Sequence, residues 1–149
     1  MRAVVQRVSR AQARVGDRIS GEIGLGLAVL LGVGASDTAS DAQHMAEKLV
    51  HLRIFADQAG LMNFDVREIA GSLLLVSQFT LFGDTRKGRR PSFTGAAREE
   101  QATHLYRQTG EEIGTFGVTV AYGVFGAHME VELVNDGPVT ILIDTKKIF

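Results

Sequence analysis

The spacing of apolar residues changes twice in the first third of the chain. "RAVVQRV" is rich in β-branched residues, and "QARVGDRIS" alternates polar and apolar positions about Gly16-Asp17, which predicts a β-hairpin. "GLAVLLGV" is an unbroken apolar run between glycines and predicts a central strand buried on both faces. From Ser40 to about Leu52 the period lengthens. Ala42, Met45, Ala46, Leu49 and Val50 recur at spacings of three and four behind the capping candidates Asp37, Thr38 and Ser40, which predicts an amphipathic helix.

Further on, the Asp and Gly of "FADQAGLMNF" predict a turn, and a strand follows from about Ser72 to Leu81. A second helix fits residues 95–112, with Ala97, Ala102, Leu105 and Tyr106 as its apolar stripe. The last third returns to β patterning. "VTVAYGVF", "MEVELVN" and "VTILID" are three short runs, the middle one alternating Met129, Val131 and Leu133 against Glu130 and Glu132. Together these elements predict an α+β fold: a single domain over residues 1–149, with an antiparallel-rich β-sheet or partial barrel covered by two main helices.

Composition narrows the class. The 149 residues are 45% hydrophobic and 22% charged, the balance of a globular chain with a core of its own. No apolar run is long enough to span a bilayer and the N-terminus has no secretory core, so a cytoplasmic protein away from membranes is expected. The absence of cysteine removes disulfides, thiolate nucleophiles and Cys-ligated zinc. None of His44, His51, His104 and His128 shows metal-ligand spacing, so no metal and no cofactor are expected, and each is read as a surface or packing residue. With a formal net charge of −1, any nucleic-acid binding must come from a local basic patch.

Such a patch exists. The stretch "LLLVSQFTLFGDTRKGRRPSF" runs from four apolar residues into Ser77, Gln78 and Thr80, and then into Arg86, Lys87, Arg89 and Arg90. In a regular strand Ser77 and Thr80 face opposite ways, so both cannot offer hydroxyls to one pocket unless a bulge intervenes or one acts through its main chain. Two readings follow: a strand end whose hydroxyls bond neighbouring backbone, or a hydroxyl with main-chain N–H groups forming an oxyanion pocket for acyl transfer. The basic loop is either a solvated charge run or a phosphate-binding surface with Phe82 and Phe93 as stacking aromatics. In "VNDGPVT", Gly137-Pro138 lies between two strand patterns, as a plain turn or as a cis X-Pro bond with unusually oriented carbonyls.

Taken together, "SQFTL", "DTRKGRRPSF", "NDGPVT" and the opening "MRAVVQRVSRA" closely resemble the bacterial-type D-aminoacyl-tRNA deacylases. The resemblance extends through "GEIGLGLAVLLGV", "KLVHLRIFAD" and "GLMNFDV", and is least distinctive over residues 94–127. It implies a hydrolase that cleaves the ester between a D-amino acid and the 3′-terminal adenosine of tRNA, and also clears glycine mischarged on alanine tRNA. It further implies a homodimer with the active site at the subunit interface, where Gly137-Pro138 of one subunit, in the cis form, enters the pocket of the other.

On the same resemblance Ser77, Gln78, Phe79 and Thr80 are the catalytic segment, with oxyanion donors among the main-chain N–H groups around Gln78 and Phe79. Either Thr80 or the ribose 2′-OH is the activated group; the lack of an evident base favours the ribose. Arg7 orients the Gly-Pro segment, and Arg86, Lys87, Arg89 and Arg90 bind tRNA. L-substrates are refused because the pocket leaves no volume for their Cβ. A non-catalytic RNA-binding module and an esterase of free amino-acid esters remain the alternatives, separable by turnover and by substrate.

Overall fold

The computed structural model describes every residue from Met1 to Phe149. Its spine is β1 (Arg2–Val15), which pairs antiparallel with β2 (Arg18–Ile23) in the predicted hairpin, with β3 (Gly26–Gly32) and with β8 (Glu130–Asp144). β3 then pairs in parallel with β6 (Ser72–Ser77), and β6 in parallel with β7 (Thr119–Tyr122). The order is β2-β1-β3-β6-β7, with β8 on the other edge of β1. β7 curls round until the Tyr122 backbone backs onto Gly21 of β2, so the mixed sheet is a nearly closed barrel. A separate two-stranded ribbon, β4 (Phe55–Ala56) with β5 (Met62–Phe64), flanks it.

Two helices cover the outside, α1 (Ala39–Val50) and α2 (Glu99–Thr115), and they pack on each other as well as on the sheet. Strand alternation divides the core. Val5, Leu27, Val29, Leu31, Leu73 and Leu75 point to the helices and meet Met45, Leu49, Leu105 and Ile113. Val8, Ala11, Ala28, Leu74 and Val76 point into the barrel. β3 and β6 are thus buried on both faces, as the continuous apolar runs predict, and each buried Leu or Val contributes about 1.5–3 kcal/mol. α1 starts where expected: the Thr38 N–H donates to the Asp41 carboxylate at 2.9 Å.

Three expectations need correction. The strand predicted over 72–81 ends at Ser77, and Phe79–Phe82 form a 3-10 turn. The second helix begins at Glu99 rather than 95, because the preceding segment is drawn to the end of β3, the Ala97 N–H donating to the Val33 carbonyl at 2.9 Å. Finally, the two last β runs are one strand, β8, which stays paired with β1 on both sides of Gly137-Pro138.

Candidate functional site

The chain leaves the sheet after β6 for a local reason. The Gln78 N–H continues the ladder by donating to the Leu31 carbonyl at 2.8 Å, but β3 ends at Gly32 and offers no further pairing. The backbone instead folds over the bare glycines: a methyl group on Gly32 would meet the Gln78 carbonyl at 2.9 Å, and one on Gly34 would meet the Phe82 ring at 2.8 Å. The 3-10 turn closes through Leu81 N–H to Gln78 carbonyl (3.3 Å) and Gly83 N–H to Thr80 carbonyl (2.9 Å).

Phe79 and Thr80 occupy the first positions of this turn, where main-chain N–H groups have no partner within the helix. Both residues are exposed. The alternation problem for Ser77 and Thr80 therefore lapses, because they do not share a strand. Of the main-chain donors expected around Gln78 and Phe79, the Gln78 amide is engaged by Leu31, which leaves those of Phe79 and Thr80. Thr80 Oγ1 accepts a hydrogen bond from Gln78 Nε2, so the two side chains brace each other across the turn.

Beside the turn opens a cleft of about 270 Å³. Leu31, Val76, Tyr106, Phe125 and Met129 make an apolar wall, and Ser77, Gln78 and His128 are polar members of its lining, with Phe79 next to them. Tyr106 is wall rather than acid: its hydroxyl donates to the Leu75 carbonyl at 2.7 Å, and burial holds its pKa far above the ordinary phenol value. Ala97 and Ala102, expected in the apolar stripe of the second helix, pack against the core and also line this cleft. His128 is exposed, as the sequence predicts for a surface residue, and it stands at the rim of this cleft.

Gly137 and Pro138 do not line this cleft in their own chain. Between the pairs Gln6–Thr140 and Val8–Asn135, β1 has one residue, Arg7, while β8 has Asp136, Gly137, Pro138 and Val139, so β8 makes an outward excursion. The Gly137-Pro138 bond is cis, both residues are exposed, and Gly137 has φ +141°. Arg7 bridges the excursion to the body of the protein: Nε donates to the Asp136 carbonyl at 2.9 Å, and Nη1 to the Ile54 carbonyl at 2.6 Å. Asn135, unassigned from sequence, closes the excursion from inside. Its Oδ1 accepts the Val139 N–H at 2.7 Å, and its Nδ2 donates to the Val139 carbonyl at 3.2 Å and to Gln6 Oε1 at 2.9 Å.

The basic loop is closed at its base by reciprocal main-chain bonds between Asp84 and Ser92, at 2.8 and 2.9 Å. Lys87, Arg89 and Arg90 are exposed and form no ion pair, whereas Arg86 folds back on Asp84. The flanking aromatics are not free stacking platforms. Phe93 packs edge-on against Phe79, with ring centres 5.0 Å apart, and Phe82 lies under the Arg2 guanidinium at 4.5 Å.

Comparison with known proteins adds the chemistry. The model of the family described as D-Tyr-tRNA(Tyr) deacylase matches residues 4–144. A "D-aminoacyl-tRNA deacylase" of Desulforudis audaxviator is 56% identical over the full length of both chains, and one of Koribacter versatilis 57% identical, likewise full length. A solved structure described as c-Myc DNA Unwinding Element Binding Protein superposes with TM-score 0.91 at 40% identity, covering 97% of this chain and 99% of that one. Another, described as a probable eukaryotic D-amino acid tRNA deacylase, gives TM-score 0.82 at 19% identity, covers 95% of this chain and 97% of its own, and shares the fold.

Proposed function

The chain belongs to the D-Tyr-tRNA(Tyr) deacylase family and is a hydrolase of the aminoacyl-tRNA ester; from that premise we propose that it removes D-amino acids, and glycine mischarged on alanine tRNA, while sparing L-aminoacyl-tRNA. The observation that carries this reading is the pair of unpartnered main-chain donors at Phe79 and Thr80, set beside an apolar cleft and next to a closed basic loop.

The ester carbonyl sits on the Phe79 and Thr80 N–H groups, which take up negative charge as water adds to the carbonyl carbon. One such donor is worth about 10²–10³ in rate. The terminal adenine enters the cleft against Tyr106 and Phe125, where its flat face replaces water on aromatic surface. Collapse of the adduct breaks the bond to the ribose 3′-oxygen, which takes its proton from the neighbouring 2′-OH. The 2′-OH of the same ribose is the activated group: it accepts the proton of the attacking water as it passes its own to the 3′-oxygen, in keeping with a Thr80 hydroxyl braced by the Gln78 side-chain amide and a cleft without a carboxylate. Lys87, Arg89 and Arg90, with Arg86 behind them, receive the acceptor-stem phosphates.

Chirality is read by a second copy of the chain. The excursion is held by Arg7 yet does not line its own cleft, and β8 is an edge strand with Val134 and Leu142 40% and 58% exposed, a surface suited to a two-fold partner. The Gly137 and Pro138 carbonyls capture the substrate ammonium, a D-side chain points outward, and an L-Cβ has no room. A tRNA-acting enzyme of this kind works in the cytoplasm. The test is release of labelled amino acid from D-Tyr-tRNA, Gly-tRNA(Ala) and L-Tyr-tRNA at one enzyme concentration, with dimerisation followed by sedimentation. Fast loss of the first two with L-Tyr-tRNA spared is expected; equal loss of D- and L-substrates would sink the steric account.

A further inference from the structure

The four cations of the basic loop are not equivalent. Resting on the reading that this loop receives tRNA, we infer that Asp84 and Arg86 form an internal clamp that shapes the loop, leaving Lys87, Arg89 and Arg90 as its phosphate ligands. Arg86 is then a positioning residue.

The geometry is that of a fork closed on a carboxylate. Arg86 Nη2 lies 2.6 Å from Asp84 Oδ2 and its Nε 2.9 Å from Oδ1, while the Arg86 main-chain N–H donates to the same Oδ1 at 3.0 Å. One carboxylate thus takes three donors from the residue two positions on, an Asx-type turn reinforced by a side chain. Asp84 also exchanges both main-chain bonds with Ser92, and the Gly88 N–H donates to the Thr85 carbonyl at 3.3 Å. Every intrachain hydrogen bond that orders the near limb of the loop therefore passes through Asp84, Thr85 or Arg86. Hydrogen bonding from Arg86 also holds the Asp84 carboxyl well below the usual carboxylate range, so the pair stays ionised at any working pH.

An exposed ion pair is weak, and a phosphate could compete for one free arginine. Competition here has a specific obstacle. Withdrawing the Arg86 side chain breaks both bonds of the fork at once and leaves the Asp84 carboxylate facing the incoming phosphate, so the local field favours the cations that have no acid beside them. Lys87, Arg89 and Arg90 meet that condition. Phe93, just beyond the loop, rests on Phe79, so the clamp orients an arm that is packed directly against the catalytic turn.

The test uses the intact protein with uncharged tRNA for binding and D-Tyr-tRNA for turnover. Each of Lys87→Met, Arg89→Met and Arg90→Met should lower the slope of log K against log salt by about 0.7–0.9, the loss of one phosphate contact. Arg86→Met should leave that slope unchanged and raise KM several-fold. Arg86→Lys decides between roles. It keeps the charge but cannot fork, so as a clamp it should be as impaired as Arg86→Met, and Asp84→Asn should match both. Rescue by Arg86→Lys, with a lowered slope in Arg86→Met, would make Arg86 a phosphate ligand and overturn the clamp while leaving the tRNA-binding loop intact. Unchanged slopes in the Lys87, Arg89 and Arg90 variants would overturn the loop reading and the clamp together.

Discussion

The chain departs from its sheet at two places that the proposed mechanism joins in one active site, and it secures them in different measure by backbone and by side chains. The turn at 78–82 is held by its own backbone, by the room that Gly32 and Gly34 leave beneath it and, from outside, by Arg2, whose Nη1 donates to the Leu81 carbonyl at 2.9 Å. The β8 excursion at 136–139 is held by side chains, Arg7 from one flank and Asn135 from within. The turn presents main-chain donors and the excursion presents exposed backbone with its carbonyls, so one suits a developing oxyanion and the other an ammonium. The difference teaches where each is vulnerable: substitutions at the turn should change chemistry with little change in stability, and substitutions around the excursion should change both.

The largest effect is expected at Gly137. At φ +141° a side chain is strained, and a methyl group would meet Val139 Cγ2 at 2.7 Å and the Val139 nitrogen at 3.0 Å. Gly137→Ala must displace the carbonyls that flank it, and a shift of about 1 Å at a reacting geometry costs on the order of 10²-fold in kcat/KM for D-Tyr-tRNA. Normal turnover and intact chiral selectivity in this variant would remove the excursion from the active site.

Arg7→Ala comes next. It leaves the carbonyl of buried Ile54 without its donor, at a cost of about 1–3 kcal/mol, and hands the exposed Asp136 carbonyl to water. The urea midpoint should fall together with the deacylation rate. Arg7→Lys should rescue little, because one ammonium cannot span two carbonyls in the way a guanidinium does.

Thr80→Val sharpens the other side of the comparison. It removes the hydroxyl that Gln78 braces and preserves shape, so the rate should stay within about tenfold of wild type and the urea midpoint should barely move. A hydroxyl nucleophile would instead lose nearly all activity, since removing a member of a concerted nucleophilic unit costs about 10⁴-fold or more. Single-turnover deacylation separates the two outcomes.

Much of the scaffold was legible in the sequence because it rests on periodicity. The Gly16-Asp17 hairpin, the doubly buried β3 and the 3.6-residue stripe of α1 all follow from patterning between turn signals. The two excursions were legible as motifs but not as shapes. Nothing in "SQFTL" signals that pairing stops at Ser77; the cause is the end of the neighbouring strand and two glycines more than forty positions upstream. In the same way "MEVELVN" and "VTILID" read as two strands because Gly-Pro punctuates them, whereas the continuous partner β1 carries the pairing across the interruption. Local pattern shows where regular structure weakens, and long-range pairing decides what replaces it. The cleft wall was the least visible part, since Tyr106, Phe125 and His128 are brought together from α2 and the segment after β7 with no shared spacing.

The smallest expected effect lies in the scaffold away from both excursions, and it appears only in acid. Burial of Asp41 raises its pKa, but hydrogen bonds from Lys146 (2.8 Å), the Thr38 N–H (2.9 Å) and the Thr145 hydroxyl (2.8 Å) outweigh it and bring the carboxyl below its ordinary value. Asp65 is lowered chiefly by the Arg67 fork. A carboxylate lowered on folding contributes stability that is complete above its unfolded value of about 3.9 and is lost as the pH falls through that value toward the folded one. The urea midpoint should therefore be flat from pH 7 to about 5 and drop below about 4. Asp41→Asn should lower the midpoint at pH 7, and its deficit relative to wild type should shrink as the pH approaches 3, because the wild-type carboxylate is then losing the same charge. A deficit that stays constant across this range would show that Asp41 stabilises the fold through packing and neutral hydrogen bonds. Acid sensitivity would then have to be sought at Asp65 and the remaining paired carboxylates.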